Sequence, residues 1–464
     1  MGLKRIKKQI NQNNRDHYIS LIALHIVIAL LIHFIPFFSK IYFVGLIIYF
    51  FFRILSANIS KRPKEVLIAC CYIVGAEVLL RMTSGTFFYE SAKYLVILYV
   101  LTGVFSNGIS SKAFSYFFYL VFLIPSIFVA YINLGFDSNF RTNVAFVLSG
   151  PFCLGLSALY LYNKKIMMRE VLQALKYLSL PIISMTIYLF LYNPSVKDVL
   201  RGTESNFEAS GGFGPNQVAT ILGLGMFALV VRLFMKSPNL FLKILNALLL
   251  GLISYRGIIT FSRGGIFAGI IIITVFLYFL FKKSSHRQKS RIIYSFILLG
   301  ILGASVWIIS STQTEGLIDK RYANQDPLGR EKEDLSTGRV DLFLDDLQGF
   351  IQNPFVGVGA NGAKELRLQK GQGLKASHNE ISRLLSEHGM FALFILLILI
   401  FTPLIFRLNN KKNIFFYALL GFWFLTINHS AMRIAAPAFI YALALLNVQY
   451  EKRPIRRKRI IWQR

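Results

Sequence analysis

The segment Ser377-His378-Asn379-Glu380 carries the side chain best suited to moving a proton. Ser377 and Glu380 have the spacing of a capping box, which places His378 in the first turn of a helix. The partial positive charge at a helix N-terminus disfavours imidazolium. His378 is therefore expected to be neutral and able to accept a proton at ordinary pH. The same spacing also suits a surface histidine that merely follows a cap. His388, at the other end of that helix, has no such setting and is expected to tolerate replacement.

Arginines form a second group. Arg201 lies in Leu200-Arg201-Gly202-Thr203, and Arg263 in Phe261-Ser262-Arg263-Gly264-Gly265. Arg256, Arg339 and Arg433 fall at the ends of apolar or amphipathic runs. Guanidinium groups bind phosphate through paired donors, and several converging on one face would suit a pyrophosphate. Snorkelling at helix ends is the alternative use for each. Asn216 and Gln217 follow Gly211-Gly212-Phe213-Gly214-Pro215 and offer amide donors near a helix start, or simply a cap on a flexible loop. Glu77 and Arg81 are placed to pair along one helix, a structural role. His25, His33 and His429 are scattered without metal-ligand spacing, so neither a metal nor another cofactor is expected. Cys70, Cys71 and Cys153 lie inside apolar runs and give no disulfide framework or zinc spacing.

The elements that must hold these groups follow from composition. Of 464 residues, 55% are hydrophobic and only 16% charged, against roughly 25% charged in soluble domains. Mean hydropathy is +0.55. Apolar runs long enough to cross a bilayer recur along the chain, and in lipid they must be helices. They lie near 18–36, 40–57, 65–82, 91–107, 113–134, 142–162, 172–192, 215–235, 241–258, 262–281, 291–311, 389–407, 413–428 and 433–449. The expected fold is an all-α polytopic membrane protein of about 14 transmembrane helices, or about 12 if 91–107 and 413–428 are dropped as a pair. The N-terminal run lacks a small-residue cleavage site and reads as a retained first span.

With the N-terminus inside, the strongly basic loops fall on one side: Lys61, Arg62 and Lys64; Lys164, Lys165 and Arg169; Lys282, Lys283, Arg287, Lys289 and Arg291; Arg407, Lys411 and Lys412. This positive-inside pattern puts both termini in the cytoplasm. It also accounts for the net charge of +29 without nucleic acid, and the tail Lys452–Arg464 suits anionic lipid headgroups. Three regions result. Residues 1–310 form an N-terminal helix bundle, 311–388 one large, partly helical extracytoplasmic loop, and 389–464 the last spans and a basic tail. The loop gathers most of the acidic residues. Val340, Phe343, Leu344, Leu347, Phe350 and Ile351 recur at helical spacing until Pro354, and a Gly357-Val358-Gly359 turn follows.

From Arg201 to Arg433 the order of the Gly-Pro-Asn-Gln stretch, the Ser-Arg-Gly-Gly turn, the Gly-Val-Gly turn and the His-Asn helix resembles the bacterial O-antigen ligase and polymerase family. The Lys-rich stretch with Lys364, Lys370 and Lys375 matches no family feature. The resemblance implies a metal-independent glycosyltransferase of the bacterial plasma (inner) membrane with a periplasmic active site. Its donor would be an undecaprenyl-pyrophosphate-linked glycan, and its acceptor a second glycan or lipid A-core. By motif position His378 takes the base role, and Arg201 and Arg263 the pyrophosphate role. Arg256 and Arg339 join them by charge and placement, with Asn216, Gln217 and Asn379 in support. Ligase and polymerase differ in the acceptor, which stays open. A lipid-linked glycan flippase would gather its charges near the bilayer midplane instead. A transferase using a polyprenyl phosphate monosaccharide would need an acid in the first outer loop, which is only Pro36-Phe37-Phe38-Ser39-Lys40.

Overall fold

The computed structural model describes residues 2–133, 139–193, 195, 197–200, 202–332, 338–371, 373 and 375–451, with side chains from Arg15 onward apart from Arg287. The protein is an all-α polytopic membrane protein. Each apolar run read from the sequence is helical over most of its length, although 433–449 is helical only over Ala435–Ala444 and ends in the strand Asn447–Gln449. Among the described residues ten helices are long and apolar enough to cross a membrane. The count of about 14 is reduced on that measure. Arg62–Met82 carries Glu77 and Arg81 in its interior, and Ser91–Asn107, Phe416–Ser430 and Ala435–Ala444 are shorter. A small parallel ladder, Lys165–Met167 beside Asn447–Gln449, is a minor addition to the helices.

Small residues let the central helices approach. Pro215–Met235 crosses Arg263–Lys283 at Gly223 and Gly269, where a Cβ on Gly269 would come within 2.8 Å of Gly223 Cα. A Cβ on Gly265 would meet the Ala219 carbonyl carbon at 2.4 Å. The Ser-Arg-Gly-Gly turn is thus pressed against the start of Pro215–Met235.

The large loop is folded. It contains helices Leu317–Tyr322, Arg339–Gln352, Gly362–Gln369 and Glu380–His388. Arg339–Gln352 is the amphipathic helix expected before Pro354. The Gly357-Val358-Gly359 turn fastens this loop to the bundle. Val358 N and Gly359 N donate to Ser386 O and Glu387 O. Pro125 interrupts the helical run 111–133. Just past it, Ser126 O accepts from Ala360 N at 2.9 Å. Gly357 and Gly359 have φ of +71° and +87°, and a Cβ on either would strike backbone within 2.6 Å. Only glycine satisfies both demands.

Candidate active site

His378 stands at the entrance of Glu380–His388, but not in its first turn. Asn379 is the N-cap, its Oδ1 accepting from Ile381 N at 2.8 Å and Ser382 N at 3.1 Å. The capping box expected from Ser377 and Glu380 is absent because both side chains have stronger partners. Ser377 Oγ donates to Asp346 Oδ1 at 2.9 Å. Glu380 is paired with Arg383 within the helix, and Arg383 also reaches Glu387 at 2.5 Å.

His378 is held well below the usual imidazole value, at about 4. Burial is the main cause, and the Arg433 and Arg339 guanidinium groups add to it. The neutral form expected from sequence is therefore favoured by burial and neighbouring charge. His378 Nδ1 is buried without a hydrogen-bond partner.

Four guanidinium groups share this region. Arg339 interacts electrostatically with Arg263, Arg321, His378 and Arg433. Arg263 Nη1 donates to Arg321 O at 3.2 Å and to Asn324 Oδ1 at 3.4 Å. Arg321 donates to Phe261 O at 3.1 Å and meets Glu204 at 3.5 Å. Arg433 donates to Ser377 O at 3.2 Å, directly before His378. Arg263, Arg339 and Arg433 form no ion pair with a described carboxylate. Glu204, the acid at the edge, is shared with Lys332. Burial and mutual repulsion lower the affinity of Arg321 and Arg339 for their protons. Such a cluster is suited to an anion of more than one charge.

The other sequence candidates separate. Arg256 is 1% exposed. It donates to Leu189 O at 2.6 Å and Asn193 O at 3.4 Å, with its guanidinium over the Phe190 ring. These donors close the end of Met168–Tyr192, so Arg256 stands apart from the arginine cluster. Arg201 lies outside the described residues. Asn216 Oδ1 accepts from Ser262 Oγ at 2.7 Å, tying the two glycine-flanked turns together. Gln217 is committed to Arg81 at 3.3 Å and Tyr89 at 3.0 Å. Asn379 Nδ2 reaches Asn428 Oδ1 at 2.9 Å, so this residue positions the helix.

The pair Glu77–Arg81 does more than brace its own helix. Glu77 Oε2 accepts from Ala435 N at 2.7 Å, and Arg81 donates to Arg433 O at 3.0 Å. This buried pair fixes the backbone that presents Arg433.

Three site features escape sequence reasoning. Arg321 is buried among ordinary loop charges. His429, isolated in sequence, lies beside His378 and Arg339, and Gly264 is its floor, a Cβ there falling 1.8 Å from the ring. Asp346 and Arg367 are paired and buried in the loop. Arg367 also donates to Lys375 O at 3.0 Å and Leu342 O at 3.1 Å, which anchors the unmatched Lys-rich stretch. His388, expected to be tolerant, is 1% exposed, and burial pushes it down to about 3.

Residues 248–397, roughly a third of the chain, match the model of the O-antigen ligase family. Arg263, Arg321, Arg339 and His378 lie within the match, whereas Asn216, His429 and Arg433 lie outside it. No curated protein matches the chain.

Proposed function

We propose that the chain is a membrane glycosyltransferase that moves a glycan from an undecaprenyl-pyrophosphate carrier to an acceptor hydroxyl. The observation that carries this reading is the position of His378 beside Arg339 and Arg433, neither of which is paired with a described carboxylate. Arg263, Arg321, Arg339 and Arg433 hold the pyrophosphate, with Arg201 retained from the sequence motif and Arg256 omitted. In the reaction the acceptor oxygen bonds to the anomeric carbon as the bond from that carbon to pyrophosphate breaks. His378 takes the hydroxyl proton. The arginines stabilise charge gathering on the departing pyrophosphate, a role for which no metal is needed.

The low proton affinity of His378 keeps it free as a base before the donor binds. Binding of an anionic donor reduces the repulsion from the arginines and raises that affinity, so the base strengthens when the donor arrives. The reading places the site at the periplasmic face of the bacterial inner membrane, with both termini cytoplasmic. The alternating basic loops support this orientation.

The acceptor is either a second lipid-linked glycan, as in a polymerase, or lipid A-core, as in a ligase. The test is a reconstituted assay with lipid-linked glycan donor and each acceptor offered separately. Glycan transfer to either supports the proposal and identifies the reaction. Movement of intact donor across the bilayer without transfer would replace it with a flippase.

A further inference from the structure

A cavity of about 760 Å³ opens at the far end of Pro215–Met235, the helix whose start is bonded through Asn216 to the turn bearing Arg263. It is lined by Tyr18, Lys61, Lys64, Lys176, Arg232 and Lys236, among others. Pro215–Met235 runs between the two places, and a helix of that length spans roughly 30 Å. This cavity therefore lies too far from His378 to share its ligand atoms.

Among the described residues Glu170 is the one acid that lines it, and Glu65 is next in sequence to the lining residue Lys64; both are engaged. Glu170 accepts from Met167 N at 2.9 Å, and Glu65 is paired with Arg53 and Lys64. Lys61, Lys176, Arg232 and Lys236 form no ion pair with a described carboxylate. Positive-inside placement explains basic residues on exposed loops, but not Arg232. That side chain is 6% exposed, and its Nε is buried without a hydrogen-bond partner. Its guanidinium carbon lies 3.7 Å from the centre of the Tyr18 ring.

The setting is built. Tyr18 OH donates to Asn246 Oδ1 at 2.8 Å, Asn246 Nδ2 to Ser237 Oγ at 2.9 Å, and Ser237 Oγ to Arg232 O at 3.0 Å. This chain of bonds fixes both the ring beneath Arg232 and the backbone that bears it. Arg232, Arg53 and Lys64 all repel the Lys176 ammonium. Glu65 offsets Arg53 and Lys64, but Arg232 and Lys176 are left without a described acid, which is costly unless an anion joins them.

We propose that this cavity binds a phosphorylated anion, with phosphate oxygens on Arg232, Lys176 and Lys236. A phosphate offers the fork-shaped acceptor that a fixed guanidinium matches, and mobile ammonium groups complete its charge. The phosphate belongs either to an anionic lipid headgroup or to a soluble polyphosphate, and the volume admits both.

The test uses the purified full chain in two arms. In the first, retention of phosphatidylglycerol over phosphatidylcholine is measured by native mass spectrometry from neutral detergent. In the second, inorganic pyrophosphate is titrated into the protein in phosphatidylcholine nanodiscs. Because the arginine site can also take pyrophosphate, the second arm uses the Arg263→Ala, Arg339→Ala background. Lys176→Gln with Lys236→Gln leaves the Arg232 stack intact and should weaken the binding arm by at least about tenfold. Arg232→Gln, checked for folding by its melting profile, should weaken it further. Preference in the first arm assigns a lipid headgroup, and binding in the second a soluble phosphate. Absence of both, or affinity unchanged in the double variant, overturns the proposal without touching the transferase reading.

Discussion

The Ser377 hydroxyl donates to Asp346 Oδ1 across 2.9 Å, joining the residue before His378 to the amphipathic helix Arg339–Gln352. Asp346 also accepts from Ser382 Oγ at 2.8 Å and pairs with Arg367. One buried carboxylate thus sets the entry angle of the helix that presents the histidine.

Asp346→Ala is expected to leave the buried Arg367 with only the more distant Asp345, at 3.9 Å, and to lower stability by about 2–3 kcal/mol. Hydrogen exchange should accelerate from Ser377 to His388, and transfer should fall with donor binding partly kept. Unchanged exchange across that segment would remove Asp346 from the scaffold.

Replacing His378 with alanine should lower transfer by about 10²–10⁴-fold, the usual contribution of a positioned base. Donor binding and the melting profile should stay near those of the native chain. His388→Ala should instead reduce stability, because it empties a fully buried position, and the fraction that folds should remain active. The readouts are turnover and donor affinity at matched amounts of folded protein. Robust turnover by His378→Ala would leave the arginine site to act by positioning alone.

Arg263→Ala and Arg339→Ala should each weaken donor binding by roughly tenfold or more, since each removes a charged donor to phosphate. Lysine replacements should restore only part, because an ammonium lacks the paired fork. Arg256→Ala should behave differently, lowering stability through the freed Leu189 and Asn193 carbonyls while folded protein keeps its donor affinity. Equal loss of donor affinity in folded Arg256→Ala would bring that residue back into the site.

The pH profile follows from the value of about 4 at His378. The base works when neutral, so kcat/KM should stay level above that value and fall as pH drops through it. The bound donor raises the proton affinity of His378, so the acid limb of kcat should lie at higher pH than that of kcat/KM. Arg339→Gln removes a repelling charge and should move the kcat/KM limb upward. An acid limb that ignores Arg339→Gln would belong to another group.

Orientation can be read by cysteine labelling in intact cells, with the native Cys70, Cys71 and Cys153 buried. Cysteines at Ser205 and Gln369 should react with an impermeant maleimide, and one at Ser284 should react only after permeabilisation. The reverse pattern would invert the proposed topology.

The sequence by itself determined the class of solvent and the order of the elements. Runs without charge can satisfy their backbone in lipid only as helices, so 18–36 through 433–449 were legible as helices from composition. The amphipathic period ending at Pro354 located Arg339–Gln352 for a similar local reason. The histidine and the Ser-Arg-Gly-Gly turn were legible because their types and order are local features.

Tertiary structure decided which charges meet. Arg256 and Arg263 look alike in sequence, yet one closes a helix end and the other joins the cluster at Arg339. Ser377 and Glu380 have capping spacing, but Asp346 and Arg383 claim their side chains, and Asn379 caps instead. His429 reaches His378 only because Gly264 leaves room for its ring. Spacing along the chain reports what one helix can bring together, whereas these partners lie across helices, and packing alone sets their distance and their burial.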